Sequence, residues 1–486
     1  MRLYLEKNSK VYKLILGFFC FSLLFLFIPT LINYQGNKII YILFSILFNL
    51  LILNIILRKV SFYEIFFGVL IWLGFWFKFS IFESNIYRFH SIFDGRALCD
   101  FNQNNFDQIL VISSIGCMGF LLSILVSAFF RNNNLSALLI DKFLIKKKTF
   151  FFLLFLILIS YLIIILINIK FDFYRKGLIP SNTFFYLESI FLPYFYNVGF
   201  GAALCFIIYN LHILNQKNMY IILFLLCTEG FMTNTSMLSR NMILYSSSIF
   251  FGYLLVLTNE KKSIKIKNYF FISTLFLVLT FLSSNFVTNK IRSSEYVMHE
   301  NNKLINKEYK CKISENEKLL HAPELFNLLL TRSIGIEGII TTYNNKKVLG
   351  FDLIKKSLAE TGLEKQSFYE EKFLAKQKRF KSYKNSNQVI LPGIFGYLYY
   401  TGSDFFLFFG IFFISLIFIM YEKITIIFTR NTILASFISF VVVWRLINFG
   451  YLVSNTINFI IAIIITTLLI FFLQKLIIFN NPHKKL

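Results

Sequence analysis

The sequence predicts an all-α, polytopic transmembrane helix bundle, about 12 spans with one large, partly helical outer loop, on the length a bilayer demands of a helix. Three observations carry that prediction. Of 486 residues, 57% are hydrophobic and only 15% are charged, whereas an ordinary soluble domain is roughly 25% charged. Apolar runs of bilayer length recur from one end of the chain to the other. The Lys and Arg residues gather in alternate short segments between those runs, the pattern that sets membrane orientation. Intrinsic disorder is excluded by a mean hydropathy of +0.65 and 19% aromatic residues. With 21 Gly, 6 Pro and 6 Cys, the chain is neither collagen-like nor a disulfide scaffold. A net charge of +24 invites a nucleic-acid reading. The placement of the basic residues between apolar runs argues against it.

Taken in order, the expected spans are Leu14–Tyr34, Ile39–Leu57, Phe62–Phe82, Ile109–Phe130, Phe150–Ile169 and Leu187–Leu214. They continue with Met219–Ser236, Met242–Leu257, Tyr269–Val287, Gly396–Tyr421, Thr432–Phe449 and Thr456–Ile477. Leu14–Tyr34 is too long for the apolar core of a signal peptide. Leu187–Leu214 and Leu391–Tyr421 are both long enough to contain a break or a re-entrant turn, and Pro193 predicts a kink in the first, because proline removes a helical donor. Basic segments at Arg2–Lys13, Arg58–Lys59, Arg131–Lys148, Lys261–Lys267 and Lys423–Arg430 place both termini in the cytoplasm. The chain then divides into spans at 1–287, an outer loop at 288–390, and spans with a cytoplasmic tail at 391–486.

The loop is too long to be structureless in a compact protein. Glu324–Tyr343 and Leu349–Thr361 read as helices within it. In the second, Leu349, Leu353, Ile354 and Leu358 face away from Asp352, Lys355, Lys356 and Glu360. An amphipathic helix of that kind lies on the membrane, caps the bundle, or packs against the rest of the loop. Gly335 and Gly338 leave a small face beside Arg332 and Glu337, suited to close packing or substrate approach.

Charges at membrane depth are the informative residues, since each costs several kcal/mol unless paired or solvated. They are Glu64, Lys78, Glu188, Glu229, Arg240 and Arg445. Glu64 and Lys78 sit near opposite ends of one span, where snorkelling accounts for them. Glu229 opens a polar run through Thr233, Asn234, Thr235 and Ser236. Arg240 and Arg445 fall toward the outer half, where guanidinium forks grip phosphate oxygens or else pair with Glu229. Arg175, Arg292 and Arg332 add outer-loop cations, and His299 and His321 are loop histidines able to take a proton near neutral pH. Cys20, Cys117, Cys205 and Cys227 read as buried small apolar groups, while Cys99 and Cys311 both fall outside and are free to pair or not. No zinc-spaced Cys/His cluster, Walker loop, dinucleotide fingerprint or serine elbow is present, so no metal and no cofactor is expected.

The Ser239-Arg240 helix start, Arg332-Ser-Ile-Gly-Ile-Glu-Gly338, Leu349-Gly-Phe351, Leu391-Pro-Gly393 and Tyr399-Tyr-Thr-Gly-Ser403 together resemble the O-antigen polymerases, the oligosaccharide repeat-unit polymerases of bacterial envelopes. The Arg-x10-Gly spacing of some members is absent: Tyr343 and Tyr186 stand where that glycine would be. The resemblance implies en bloc transfer of a growing glycan from undecaprenyl pyrophosphate to a new lipid-linked unit at the periplasmic face of the inner membrane. It implies a metal-independent glycosyltransferase whose partners are that lipid-linked glycan, the bilayer and a chain-length regulator. Arg240, Arg332 and Arg445, with Arg292 and Arg175 second, would bind pyrophosphate; Glu337 and His321 compete as the catalytic base. The alternatives are an O-antigen ligase, a polyprenyl-phosphate-dependent glycosyltransferase and a lipid-linked oligosaccharide flippase.

Overall fold

The computed structural model describes residues 10–58, 60–84, 106–130, 147–175, 191–214, 219–239, 241–259, 266–297, 334–345, 349–360, 368–373, 391–450 and 453–479. These residues form helices and connecting turns, with no strand among them. Among the described residues eight helical segments are long and apolar enough to cross a membrane, which makes this a multi-pass membrane protein. They are Lys38–Leu57, Phe62–Glu83, Phe106–Phe129, Phe150–Phe171, Leu192–Ile213, Ser273–Ile291, Asp404–Thr429 and Thr456–Lys475. Leu23–Asn33, Met242–Leu257 and Thr432–Ile447 are shorter apolar helices. Met219–Met237 is diluted by the polar run from Thr228 to Ser236.

In chain order, α1 is Lys10–Asn33, α2 Lys38–Leu57, α3 Phe62–Trp72, α4 Lys78–Glu83, α5 Phe106–Phe129 and α6 Lys147–Phe171. Then come α7 Phe200–Ile213, α8 Met219–Met237, α9 Met242–Asn259 and α10 Ile266–Val297. The axle of the bundle is α16, Thr432–Ile447, which is buried on every side but one position and is apolar nearly all round. It packs on α3, α7, α9 and on α15, Asp404–Thr429, while α15 lies along α5. The last helix, α17, is Val453–Phe479.

One end of this core is closed by carboxylates. Glu422 on α15 accepts hydrogen bonds from the Phe62 and Tyr63 amides at 2.9 and 2.7 Å and from Ser439 at 3.0 Å. Those amides open α3 and have no partner within their own helix, so the carboxylate satisfies them and meets the positive end of the helix dipole. Glu64 completes a capping box with Ser61 and accepts from Ser127 at 2.7 Å. Glu64 is fully buried and Lys78 is 3% exposed. Snorkelling is therefore overturned for both: neighbouring elements supply partners inside the bundle.

Two π-helical turns interrupt the spans. Leu73–Phe77 joins α3 to α4, and Phe195–Gly199 follows Pro193 at the head of the α7 span, so regular α-helix is interrupted just after that proline. The tenth expected span also breaks. A short helix, α14 Gly393–Leu398, and a 3-10 turn at Tyr399–Thr401 precede Gly402, whose left-handed φ of 70° reverses the chain. Ser403 then caps α15, which runs to Thr429 rather than stopping at Tyr421. The ninth helix continues to Val297, ten residues past Val287, so Arg292 belongs to α10 and not to a loop.

Of the loop helices, α11 is Ile336–Asn344, α12 Phe351–Leu358 and α13 Phe368–Phe373; 324–333 lie outside the described residues. The amphipathic segment caps the bundle. The Gly350 amide donates to the Tyr400 carbonyl at 2.8 Å, Ser357 meets the Tyr397 hydroxyl at 3.2 Å, and Leu353 is buried. Tyr369 and Phe373 of α13 stack on Tyr400 with ring centroids 6.4 and 5.0 Å apart. Gly335 lies against the Gly74 backbone in the π turn, and Gly338 against the Pro392 carbonyl, so close packing is what those glycines serve. Replacing Gly338 with Ala drives a methyl group into that carbonyl and costs about 1–3 kcal/mol by overpacking. Gly350→Ala, with open space around its Cβ, stays within about 0.5 kcal/mol. Thermal unfolding of both variants in detergent measures the contrast.

Candidate functional site

The polar groups inside the bundle divide into two ends. Antiparallel neighbours put Glu64, Glu422 and Asn431 at one end, and Lys78, Arg445 and the α11–α14 cap at the other. At the capped end Lys78, on the first turn of α4 after the π turn, forms an ion pair and hydrogen bond with Glu337 of α11. Their side chains are 4% and 12% exposed. Burial of that degree makes the pair a structural bond between a spanning helix and the cap. It also commits the Glu337 side chain to holding the cap on the bundle.

Arg445 is placed differently. It sits in the last turn of α16, half-buried, and among the described residues it pairs with no carboxylate. Its Nε donates to Thr456 Oγ1 at 3.1 Å, and its guanidinium lies 5.9 Å from the Phe459 ring centroid. Tyr174 and Tyr245 are within electrostatic reach. Burial raises the Tyr174 phenol above its ordinary value, against a hydrogen bond with Asn197 and the Arg445 charge. With Nε committed, the outer edge of the fork keeps its two terminal nitrogens for an anion.

The segment that brings Tyr174 to Arg445 is built by Asn168. Asp172 adopts a left-handed φ of 53°, and the Asn168 side chain brackets the reversed chain, accepting from Tyr174 N at 2.8 Å and donating to Tyr174 O at 3.1 Å. The same amide donates to Ser236 Oγ at 2.9 Å, and Ser236 meets the Tyr196 hydroxyl at 2.8 Å. A polar seam thus runs from Arg445 to α8. Farther along it, Asn234 accepts from the Met242 amide at 2.9 Å, opening α9, and donates to Ser284 on α10 at 3.0 Å. Asn285, 4% exposed, and Thr288, fully buried, have no hydrogen-bond partner among the described residues. Glu229 lies deeper, accepting from Ser246 at 2.6 Å and Thr233 at 3.2 Å. Hydroxyls, not arginines, are its neighbours in the described structure.

Of the residues expected to bind pyrophosphate, only Arg445 has a described side chain with an open anion-binding edge. Arg175 is held by an ion pair to Asp172. Arg292 is on α10, with its side chain outside the described residues. Arg240, Arg332, His299, His321, Glu188, Cys99 and Cys311 all lie outside them as well. Ser239 and Asn241, which flank Arg240, occupy the turn between α8 and α9 at the capped end, just after Leu238 with its left-handed φ of 50°. Among the described residues no group of three or more His, Cys, Asp or Glu is placed to hold a metal ion.

No family model, no curated protein and no solved structure matches the chain. The site therefore rests on its own chemistry.

Sequence reasoning marked Lys78 and Glu337 separately and missed their pairing. It also missed Asn168, Asp107 and Glu422. Asp107 accepts from the Tyr34 hydroxyl at 2.6 Å and from the Asn37 amide at 2.9 Å, fastening the α1–α2 turn to α5. A lone polar residue at the mouth of an apolar run was the available signal for each. Lys78→Met or Glu337→Leu strands a buried charge and costs about 3–5 kcal/mol. The double variant recovers much of that loss; a double-mutant cycle of thermal or chemical unfolding reads the coupling.

Proposed function

We propose that the chain is a glycosyl-transferring membrane enzyme that lengthens a polyprenyl-pyrophosphate-linked oligosaccharide at the capped end of the bundle. In this reading the membrane is a bacterial inner membrane, the helices make twelve passes, both termini are cytoplasmic and the cap is periplasmic. The observation that carries it is Arg445: a guanidinium inside an apolar bundle, anchored by Thr456 and ringed by Tyr174, Tyr245 and Phe459, with no carboxylate among its described neighbours. An unpaired cation at that depth is costly, and an anionic ligand removes the cost.

The step is a substitution at an anomeric carbon. A hydroxyl oxygen of the acceptor unit forms the new bond to that carbon, the bond to the pyrophosphate oxygen breaks, and pyrophosphate leaves with the electron pair. Arg445 stabilises the charge developing on the departing oxygens, and this reading gives Arg240 and Arg332 the same task. The acceptor proton passes to a base. Because Glu337 is committed to Lys78, His321 is the better acceptor of that proton, and Glu337 positions the cap. An O-antigen ligase would run the same step from the same donor onto a different acceptor.

Arg445→Lys keeps the charge and loses the fork, so glycan elongation in cells should fall about a hundredfold. Arg240→Ala and Arg332→Ala should abolish long products while the protein still inserts. Electrophoresis of surface glycans from a deletion strain carrying each variant reads the result. A wild-type ladder in all three removes the enzymatic reading, and attachment of preformed polymer to a lipid core would identify a ligase.

A further inference from the structure

On the side of the bundle where α6, α7 and α17 meet, a shallow groove of about 200 Å³ faces outward, smaller than the roughly 300–1,000 Å³ of pockets that take up a whole ligand and suited to one stretch of a hydrocarbon chain. Ala202, Phe206, Thr466 and Ile470 are buried along it, and Leu469 and Leu473 rise at its rim about half exposed. Small side chains make the depression: Ala202 and Ala203 follow Gly199 on the same span. Almost all of its surface is apolar, and the Tyr194 hydroxyl closes its upper part through a 2.9 Å hydrogen bond to Thr466.

The groove and the Arg445 cluster share two structural elements. Thr456 and Phe459, which hold the guanidinium, lie on α17 above Thr466, and ten residues of helix set the two levels about 15 Å apart. The π turn Phe195–Gly199 is the second element. Its Tyr196 stacks on Tyr174 beside Arg445 at 6.2 Å, while Gly199 lines the groove. An anion-binding edge near the membrane boundary and an apolar channel below it on the same helix are the two halves of an amphiphile site.

We propose that this groove holds the hydrocarbon chain of a polyprenyl phosphate whose head lies at Arg445. The identity of the chain rests on the transfer reaction proposed above. Charge complementarity at the head selects a phosphate over a neutral lipid, and the depression beside Ala203 gives the tail a fixed path along α17 instead of a free one in the bilayer. The π turn couples the halves, since one turn of backbone carries both a head-side residue and a tail-side residue.

The test uses the full chain in detergent micelles, titrated by native mass spectrometry with undecaprenyl phosphate, inorganic pyrophosphate and phosphatidylglycerol. Ala203→Phe fills the groove without touching the head, and should weaken undecaprenyl phosphate about tenfold, the loss of a few buried methylene groups, while inorganic pyrophosphate binds as before. Arg445→Gln should weaken both phosphate probes. Retained pyrophosphate binding also certifies that Ala203→Phe is folded; Ala203→Leu serves the same role if the larger side chain unfolds the protein. Unchanged undecaprenyl phosphate binding in a folded Ala203 variant overturns the groove while leaving the head site standing. Equal competition by phosphatidylglycerol also overturns it, marking an ordinary bilayer lipid. Failure of Arg445→Gln to weaken pyrophosphate overturns the transfer reading instead.

Discussion

Lys78 reaches its partner only because the cap is seated, and the cap is seated only because glycines let it approach. Gly335 meets the backbone of the π turn, Gly338 meets Pro392, and Gly450, with φ 119°, packs beneath the proline ring. The Gly393 amide donates to the Phe449 carbonyl at 3.0 Å, tying the entry of α14 to the exit of α16. Steric fit and electrostatics thus support one another across three distant stretches of chain. A buried ammonium requires a counter-charge, and α11 delivers one from a helix that also buries Ile336, Ile339, Ile340 and Tyr343. The residues that close the bundle are therefore held by hydrophobic burial and by this ion pair together.

The two ends of the bundle solve the problem of polar groups in an apolar interior in opposite ways. At the end holding Glu64 and Glu422, every carboxylate oxygen that the hydrogen bonds show is met by helix amides or serine hydroxyls. The arrangement is saturated and rigid. At the capped end, Arg445 has a single hydrogen bond, and Asn285 and Thr288 have none among the described residues. Buried polar atoms are almost always partnered in native proteins, so an unsaturated set gathered along one seam is where a polar ligand or ordered water belongs.

Much of the architecture was legible because bilayer thickness acts on a chain through the length of its apolar runs. The segments from Ile39 to Leu57 and Thr456 to Ile477 are plain in the sequence for that reason. Where reading failed, a local backbone event had overridden composition. The length of Leu391–Tyr421 allowed for a break, but composition did not say where the 3-10 turn and left-handed Gly402 would fall, and the π turn at Leu73–Phe77 leaves no compositional trace. Arg445 stood out as a charge in an apolar run. Its meaning depended on Thr456 and Tyr174, brought together by Asn168 and by an asparagine-bracketed reversal that residue type alone does not reveal. Lys78 and Glu337 are separated by 259 positions, and nothing local ties one to the other.

The Glu422 clamp has a consequence for how the molecule is made. The first amides of α3 find their acceptor 360 and 359 residues downstream. A ribosome therefore threads most of the polypeptide into the lipid before that early helix receives its final anchor. Until then water, lipid headgroups or the insertion machinery must solvate those amides, and a nascent chain stopped short of α15 would leave them to cellular quality control.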